Sequence, residues 1–241
     1  MIVLLLVLIN ICGLCVGDMC EEVVRGDFLG NGAQKLVYEG KLGDRDVVIK
    51  ELRYIDNMED QFQGYLSLYS EYKVFKSFEV DYPRYSMKIY DFCESNGTFF
   101  YIMERGQALK RDEMHRPALL RMLKRNVNAR FKVVATDIKW SQLVSKGDEI
   151  YTIDVNMGEI YGDLNIDFNE YCRLYTWKLY SSPGDKETFK AIGYPLNDDE
   201  WTIEVGRWNK MKETLEEENK KTFLDYGRLH HEMNARIATG V

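Results

Sequence analysis

Histidine is scarce in this chain, at three residues in 241. His115 stands alone, and His230 and His231 are adjacent, so on a helix they point about 100° apart and suit no shared metal. A hydrolase built on a histidine base has little to build with. Cysteine is limited to five residues, at no spacing that resembles a zinc site. A basic face for nucleic acid is missing too, because the net charge is −7 and acids and bases are interspersed. No repeat or low-complexity linker interrupts the chain, and no G-K-[ST] sequence of a P-loop occurs. What remains, 45% apolar and 29% charged residues, is an ordinary globular composition with room for one large domain or two small lobes.

The opening run MIVLLLVLINICGLCVG carries no charge and ends in small residues before Asp18. It is short for a bilayer span and reads as a signal peptide over residues 1–17, which directs the chain into the secretory pathway. The protein is then expected in the endoplasmic reticulum or Golgi lumen or secreted, with membrane attachment only if the segment stays uncleaved. Cleavage removes Cys12 and Cys15. Cys20, Cys93 and Cys172 remain, an odd number that permits at most one intrachain disulfide and leaves a thiol over. Asn96-Gly97-Thr98 is a glycosylation sequon on an expected hairpin tip.

Residues 26–52 read as three short strands with turns at the glycine pair and at LGDR. EDQFQGYLSLYSEYKVFKSF, residues 59–78, reads as a helix, since Phe62, Leu66, Tyr69, Tyr72 and Phe75 recur at spacings of three and four. SMKIYDFCES and TFFYIMER follow as strands joined by Asn-Gly, a strong hairpin signal. A helix is expected over Pro117–Asn128, carrying Leu119, Leu120, Leu123 and Val127, then short apolar segments around RFKVVATDI and EIYTIDVNM, with QLVSKGD between them as a strand and a turn. The C-terminal part reads as mainly helical, with the charged face of residues 208–237 solvated.

The glycines in DFLGNGAQKLVYEGKLGDRDVVIKEL pose the chemical question. A dinucleotide fingerprint needs a helix directly after its glycines, and here a strand follows. That order is the protein-kinase one, in which a G-x-G-x-x-G-x-V hairpin covers nucleotide phosphates and a following strand carries a lysine to them. Gly30, Gly32 and Val37 match, with Lys35 in the third glycine position. DVVIK ends at Lys50, and Glu71 on the expected helix is placed to pair with it. Further on, ATDIKWSQ resembles the catalytic loop and IDVN the metal motif. Asp137 takes the place of the carboxylate that orients the attacking hydroxyl, and Lys139 would sit near the transferred phosphoryl group. Gln142 stands for the metal-binding asparagine, and Asp154 for the aspartate that chelates the metal. Hard oxygen ligands of this kind suit Mg²⁺ or Mn²⁺.

With its leader and its altered motifs, the chain resembles the divergent secretory-pathway kinase-like proteins. These include the divergent protein kinase domain family, vertebrate lonesome kinase and protein O-mannose kinase. The resemblance implies an α+β, two-lobed protein-kinase-like fold. Its N-lobe, residues 18–105, would be a five-stranded antiparallel sheet with one helix, and its C-lobe, residues 106–241, would be mainly helical and shortened. It also implies ATP with Mg²⁺ or Mn²⁺ as cofactors and phosphoryl transfer to a hydroxyl of a protein or glycan. The alternative is a pseudokinase acting as a nucleotide-binding or interaction module. The short interval from Glu104 to Asp137, the missing A-P-E and Gln142 favour that alternative, whereas Lys50, Glu71, Asp137 and Asp154 favour the enzyme. A third reading is an unrelated secreted α+β interaction protein.

Overall fold

The computed structural model of the protein describes residues 19–54, 56–110, 112–129, 132–135, 139–155, 159–161, 164–181 and 199–218. The expected signal peptide over 1–17, the side chain of Phe62, Asp137, and the stretch with His230, His231 and Glu232 lie outside these residues. The fold is α+β and divides into two compact units. One holds the described residues up to Lys76 with Met87–Arg105, and the other holds Ser77–Ser86 with the described residues from Gly106 onward.

The first unit begins with a single helical turn, α1 (Met19–Glu22), and strands β1 (Val23–Asn31), β2 (Lys35–Leu42) and β3 (Arg45–Leu52). Helix α2 (Met58–Asp81) follows, then β4 (Ile89–Ser95) and β5 (Thr98–Glu104). The strands form one antiparallel sheet in the order β1-β2-β3-β5-β4, the five-strand-plus-helix arrangement expected from the sequence. The first strand starts at Val23, earlier than the glycine signal suggested, and pairs with β2 through two irregularities in register. Asn96 and Gly97 take φ of 53° and 74° at the β4–β5 turn, the two positive values that a two-residue hairpin of this type requires.

Opposite residues in an antiparallel sheet point to the same face. One face packs Leu42, Val47, Ile49, Phe100, Ile102 and Cys93 against Met19, Cys20 and Val23. A Cys20–Cys93 disulfide fastens α1 to β4 there, and the remaining described cysteine, Cys172, is a buried thiol. The other face receives α2. Apolar spacing places the helix stripe on Phe62, Leu66, Tyr69, Tyr72 and Phe75; the deepest stripe is Gly64, Ser67, Leu68, Glu71, Val74 and Phe75, so Phe75 lies on it whereas Leu66, Tyr69 and Tyr72 are half-buried. Tyr65, Tyr69 and Tyr72 lie to one side instead, in edge-on and tilted contacts with Phe92 of the edge strand β4 and Phe99 of β5. The buried line interleaves Gly64, Ser67 and Glu71 with Leu68, Val74 and Phe75, a mixture that apolar spacing alone does not mark. A Cβ on Gly64 would come within 2.8 Å of Leu52 Cδ1, so the missing side chain lets the helix lie close to β3 at that point.

The second unit contains β6 (Gln107–Ala108), a short 3-10 turn Glu113–His115, helix α3 (Arg116–Asn128) and β7 (Lys132–Val133). A second 3-10 turn, Trp140–Gln142, leads into the hairpin β8 (Leu143–Lys146) and β9 (Glu149–Thr152), followed by β10 (Ile160–Tyr161) and α4 (Phe168–Ser181). Residues 199–218 form a further helix, α5. β6-β8-β9 and β10-β7 make two small sheets. Helix α3 carries a proline at its start, where the missing N–H costs nothing. It buries Ala118, Leu119, Met122, Leu123, Asn126 and Val127, pairs that recur every four residues. The apolar side chains among these meet Tyr171, Leu174, Tyr175 and Leu179 of α4 and Trp208 and Leu215 of α5 in one core. Among the described residues no helix is long and apolar enough to cross a membrane.

Two stability predictions follow from these cores. The Cys20–Cys93 bridge closes a sequence separation of 73 residues, so its reduction is expected to lower unfolding free energy by roughly 2–4 kcal/mol. Denaturant titration with and without reductant measures this, and Cys172 should react with a maleimide only after unfolding. Burial also pushes the Cys172 thiol up to about 11 and the Tyr161 phenol up to about 12, with Tyr171 raised well above its ordinary value by the same cause. The folded chain holds these protons more tightly than the unfolded chain does. Stability is therefore full below the ordinary thiol value of 9.0 and declines as the pH rises toward the folded values. Urea midpoints between about pH 8 and 11 should show that decline, and Tyr161→Phe should reduce it.

Candidate functional site

The sheet register assembles the first cluster. Gly30 lies opposite Val37, Val37 opposite Lys50, Lys50 opposite Tyr101 and Tyr101 opposite Phe92. Three residues singled out in the sequence thus form one row across β1, β2 and β3, on the face that receives α2. Gly32 lies in the turn between β1 and β2, where its N–H donates to the Lys35 carbonyl at 2.8 Å.

Glu71 reaches this row from the middle of the buried stripe of α2, with no exposed surface. Lys50 Nζ donates to Glu71 Oε1 at 2.8 Å, and Lys35 Nζ donates to Oε2 at 2.7 Å. The Tyr101 hydroxyl donates to Oε1 at 2.5 Å. An ionised carboxylate in a dry interior is costly unless its lone pairs are met by good donors. Here two ammonium groups and a phenol meet them, in charge-assisted bonds stronger than neutral ones. The Lys50 ammonium also lies 5.8 Å from the Tyr101 ring centroid and 5.9 Å from that of Phe75, within cation–π range.

Lys35 and Tyr101 are members of this cluster that the sequence reading did not assign. Lys35 counted there only as a departure from a glycine. The signal that could have found them was strand parity: Lys35 precedes Val37 by two and so shares its face, and Tyr101 sits across from Lys50.

The second cluster belongs to the other unit and is built by the β8–β9 hairpin. Leu143 pairs with Thr152, so the residues just outside that pair must meet. The Ile153 N–H donates to the Gln142 carbonyl oxygen at 3.0 Å, and Gln142 Nε2 donates to Asp154 Oδ2 at 3.0 Å. Gln142 Oε1 accepts from the Lys139 backbone N–H at 2.9 Å, and the Thr152 hydroxyl donates to the Asp154 carbonyl at 3.1 Å. Lys139 itself is exposed. Val155, in the position after Asp154, is fully buried.

Two arginines of α3 anchor the hairpin. Arg121 Nε donates to Glu149 at 3.0 Å and Arg125 Nη2 to the Ile150 carbonyl at 3.0 Å, while Arg125 Nη1 also bonds Glu149. Burial alone would raise the Glu149 carboxyl, but the hydrogen bonds and charges of Arg125 and Arg121 prevail and hold it below its ordinary value. Tyr171 of α4 donates its hydroxyl to the Ala135 carbonyl at 2.9 Å, which fixes the chain at the entry to the Asp137 segment. Gln142 and Asp154 are thus brought together, as are Gly30, Val37, Lys50 and Glu71. Compared with known proteins, the chain matches no family model and no curated protein.

Removing the charge at Glu71 should leave two lysines facing an amide. Glu71→Gln is expected to cost about 3–5 kcal/mol, and Tyr101→Phe about 1–2 kcal/mol for the lost bond to a charged group. Denaturant unfolding measures both. A Lys35→Met and Lys50→Met double-mutant cycle should show non-additive losses, because the two ammoniums share one acceptor.

Proposed function

We propose that the protein is a protein-kinase-like phosphotransferase of the secretory pathway. It binds ATP with Mg²⁺ or Mn²⁺ and passes the γ-phosphoryl group to a hydroxyl of a protein or glycan. The observation that carries this reading is the buried Lys50–Glu71 pair, 2.8 Å apart, on the same sheet row as Gly30 and Val37. A lysine must be aimed and held ionised to grip phosphate oxygens, and a buried carboxylate on a neighbouring helix does both.

The glycine hairpin supports the same reading. A Cβ at Gly30 would meet nothing within 4 Å, and one at Gly32 only the Lys35 carbonyl at 4.0 Å. Neither glycine has positive φ, so neither packing nor turn geometry demands it. Bare backbone at such positions keeps side chains out of the way of phosphate oxygens. On this reading Gly30, Gly32, Val37 and Lys50 would hold the nucleotide, and Asp154 would hold the cation. When bound, the cation would neutralise charge developing on the phosphoryl oxygens. Asp137 would orient the acceptor hydroxyl, and most of the rate would come from positioning and electrostatics. The Cys20–Cys93 disulfide fits an oxidising compartment, and the exposed Asn96 is open to a glycan.

One observation favours the pseudokinase reading. The side-chain carbonyl of Gln142 is engaged by the Lys139 N–H, whereas a second metal site would call on that oxygen.

Thermal unfolding with ATP and Mn²⁺ tests the proposal. At a hundredfold excess over Kd a ligand adds about 2.7 kcal/mol, or roughly 5–10 °C for a chain of this size. Wild type and Asp137→Asn should show the rise and Asp154→Asn should not, while labelled phosphate transfer to luminal acceptors is lost in Asp137→Asn. No nucleotide-dependent shift in wild type sinks the reading. Binding without transfer by wild type selects the pseudokinase.

A further inference from the structure

Gln142 is held at both ends of its amide. Its oxygen accepts from the Lys139 backbone N–H at 2.9 Å, and its nitrogen donates to Asp154 Oδ2 at 3.0 Å. The orientation is fixed by chemistry, because a backbone N–H can be met only by the oxygen and a carboxylate only by the amide N–H. Flipping the amide would set N–H against N–H and oxygen against a carboxylate oxygen. A glutamine that ligates Mg²⁺ or Mn²⁺ must offer its oxygen to the ion. The edge facing Asp154 offers hydrogen instead, and the oxygen is turned back into its own 3-10 turn.

The backbone reinforces this arrangement. The Gln142 carbonyl holds the Ile153 N–H and the Thr152 hydroxyl holds the Asp154 carbonyl. Beside the main-chain bond from Ile153 to Gln142, Asp154 is therefore held at its carbonyl by the Thr152 hydroxyl and at its carboxylate by the Gln142 amide. A donor of this kind, behind a metal-binding carboxylate, sets its direction and basicity without touching the ion.

We infer that Gln142 is the positioning residue for Asp154 rather than a metal ligand, and that the chain takes one divalent cation with its nucleotide, not two. The inference rests on the phosphotransferase reading and sharpens its metal site. It also replaces the expectation that Gln142 supplies a carbonyl ligand.

Equilibrium dialysis of the full chain against Mn²⁺ and a non-hydrolysable ATP analogue counts the bound metal per bound nucleotide. The wild-type ratio is expected to be one. Gln142→Met keeps the side-chain length but removes the donor. It should keep the ratio and weaken Mn²⁺–nucleotide binding roughly ten- to hundredfold, the usual effect of losing such a donor. Gln142→Asn, one methylene shorter, should weaken binding similarly, and melting of each variant without ligand shows that it is folded. A wild-type ratio of two that falls to one in Gln142→Met overturns the inference and leaves the phosphotransferase reading intact. Unchanged affinity in both variants also overturns it. No binding of the Mn²⁺–nucleotide pair by wild type overturns both.

Discussion

A carboxylate with no access to water organises the first unit. Glu71 enters the interior on a helix whose buried line is otherwise small or apolar, and a lone charge there would be prohibitive. Its stability depends on Lys35, Lys50 and Tyr101 arriving from three different strands at hydrogen-bond distance. That requirement constrains strand register, helix rotation and helix depth together. A one-residue slip of β2 would turn Lys35 and Val37 to the opposite face. A thicker residue at Gly64 would press on Leu52 and lift the helix. The ion cluster is thus a specifying interaction as well as a stabilising one.

The second unit solves a similar positioning problem by other means. Its hairpin is tied to α3 by Arg121 and Arg125 through Glu149 and main-chain carbonyls. Gln142 and Asp154 flank the open end of that hairpin, so their approach follows from local pairing alone. Tyrosines supply the longer ties: Tyr171 to Ala135, Tyr180 to Asp112 and Tyr161 to Leu215, each hydroxyl donating to a main-chain carbonyl. A tyrosine can bury its ring in the core and still satisfy a loop carbonyl. This accounts for these three tyrosines without recourse to a binding surface.

Much of this was legible beforehand because it is local. Asn-Gly announced the β4–β5 turn, the run of Leu119, Leu120, Leu123 and Val127 announced α3, and the order of Lys50 and Glu71 on a strand and the following helix announced their pairing. The roles of Lys35 and Tyr101 were not legible from spacing along the chain. Their meeting with Glu71 depends on which strands are neighbours, and β5 joins β3 only after the chain has passed through α2 and β4. The face of α2 was misjudged for a related reason. Tyrosines dominate its hydrophobic pattern, but Tyr69 and Tyr72 pack beside Phe92 rather than on the line closest to the sheet, which carries Phe75.

By itself the sequence determined the three strands, helix and hairpin of the first unit, the helix that became α3, and that Cys20, Cys93 and Cys172 could form at most one bridge among them. These depend on backbone preference, periodicity and side-chain chemistry, all readable within a short window. Only the tertiary structure decided that Cys20 bonds Cys93, that Lys35 joins Lys50 on one carboxylate, and that Gln142 turns its N–H toward Asp154. Each of these is a choice among partners of equal chemical competence. Such choices are settled by strand register and helix depth, which emerge only when every buried polar group must find a partner at once.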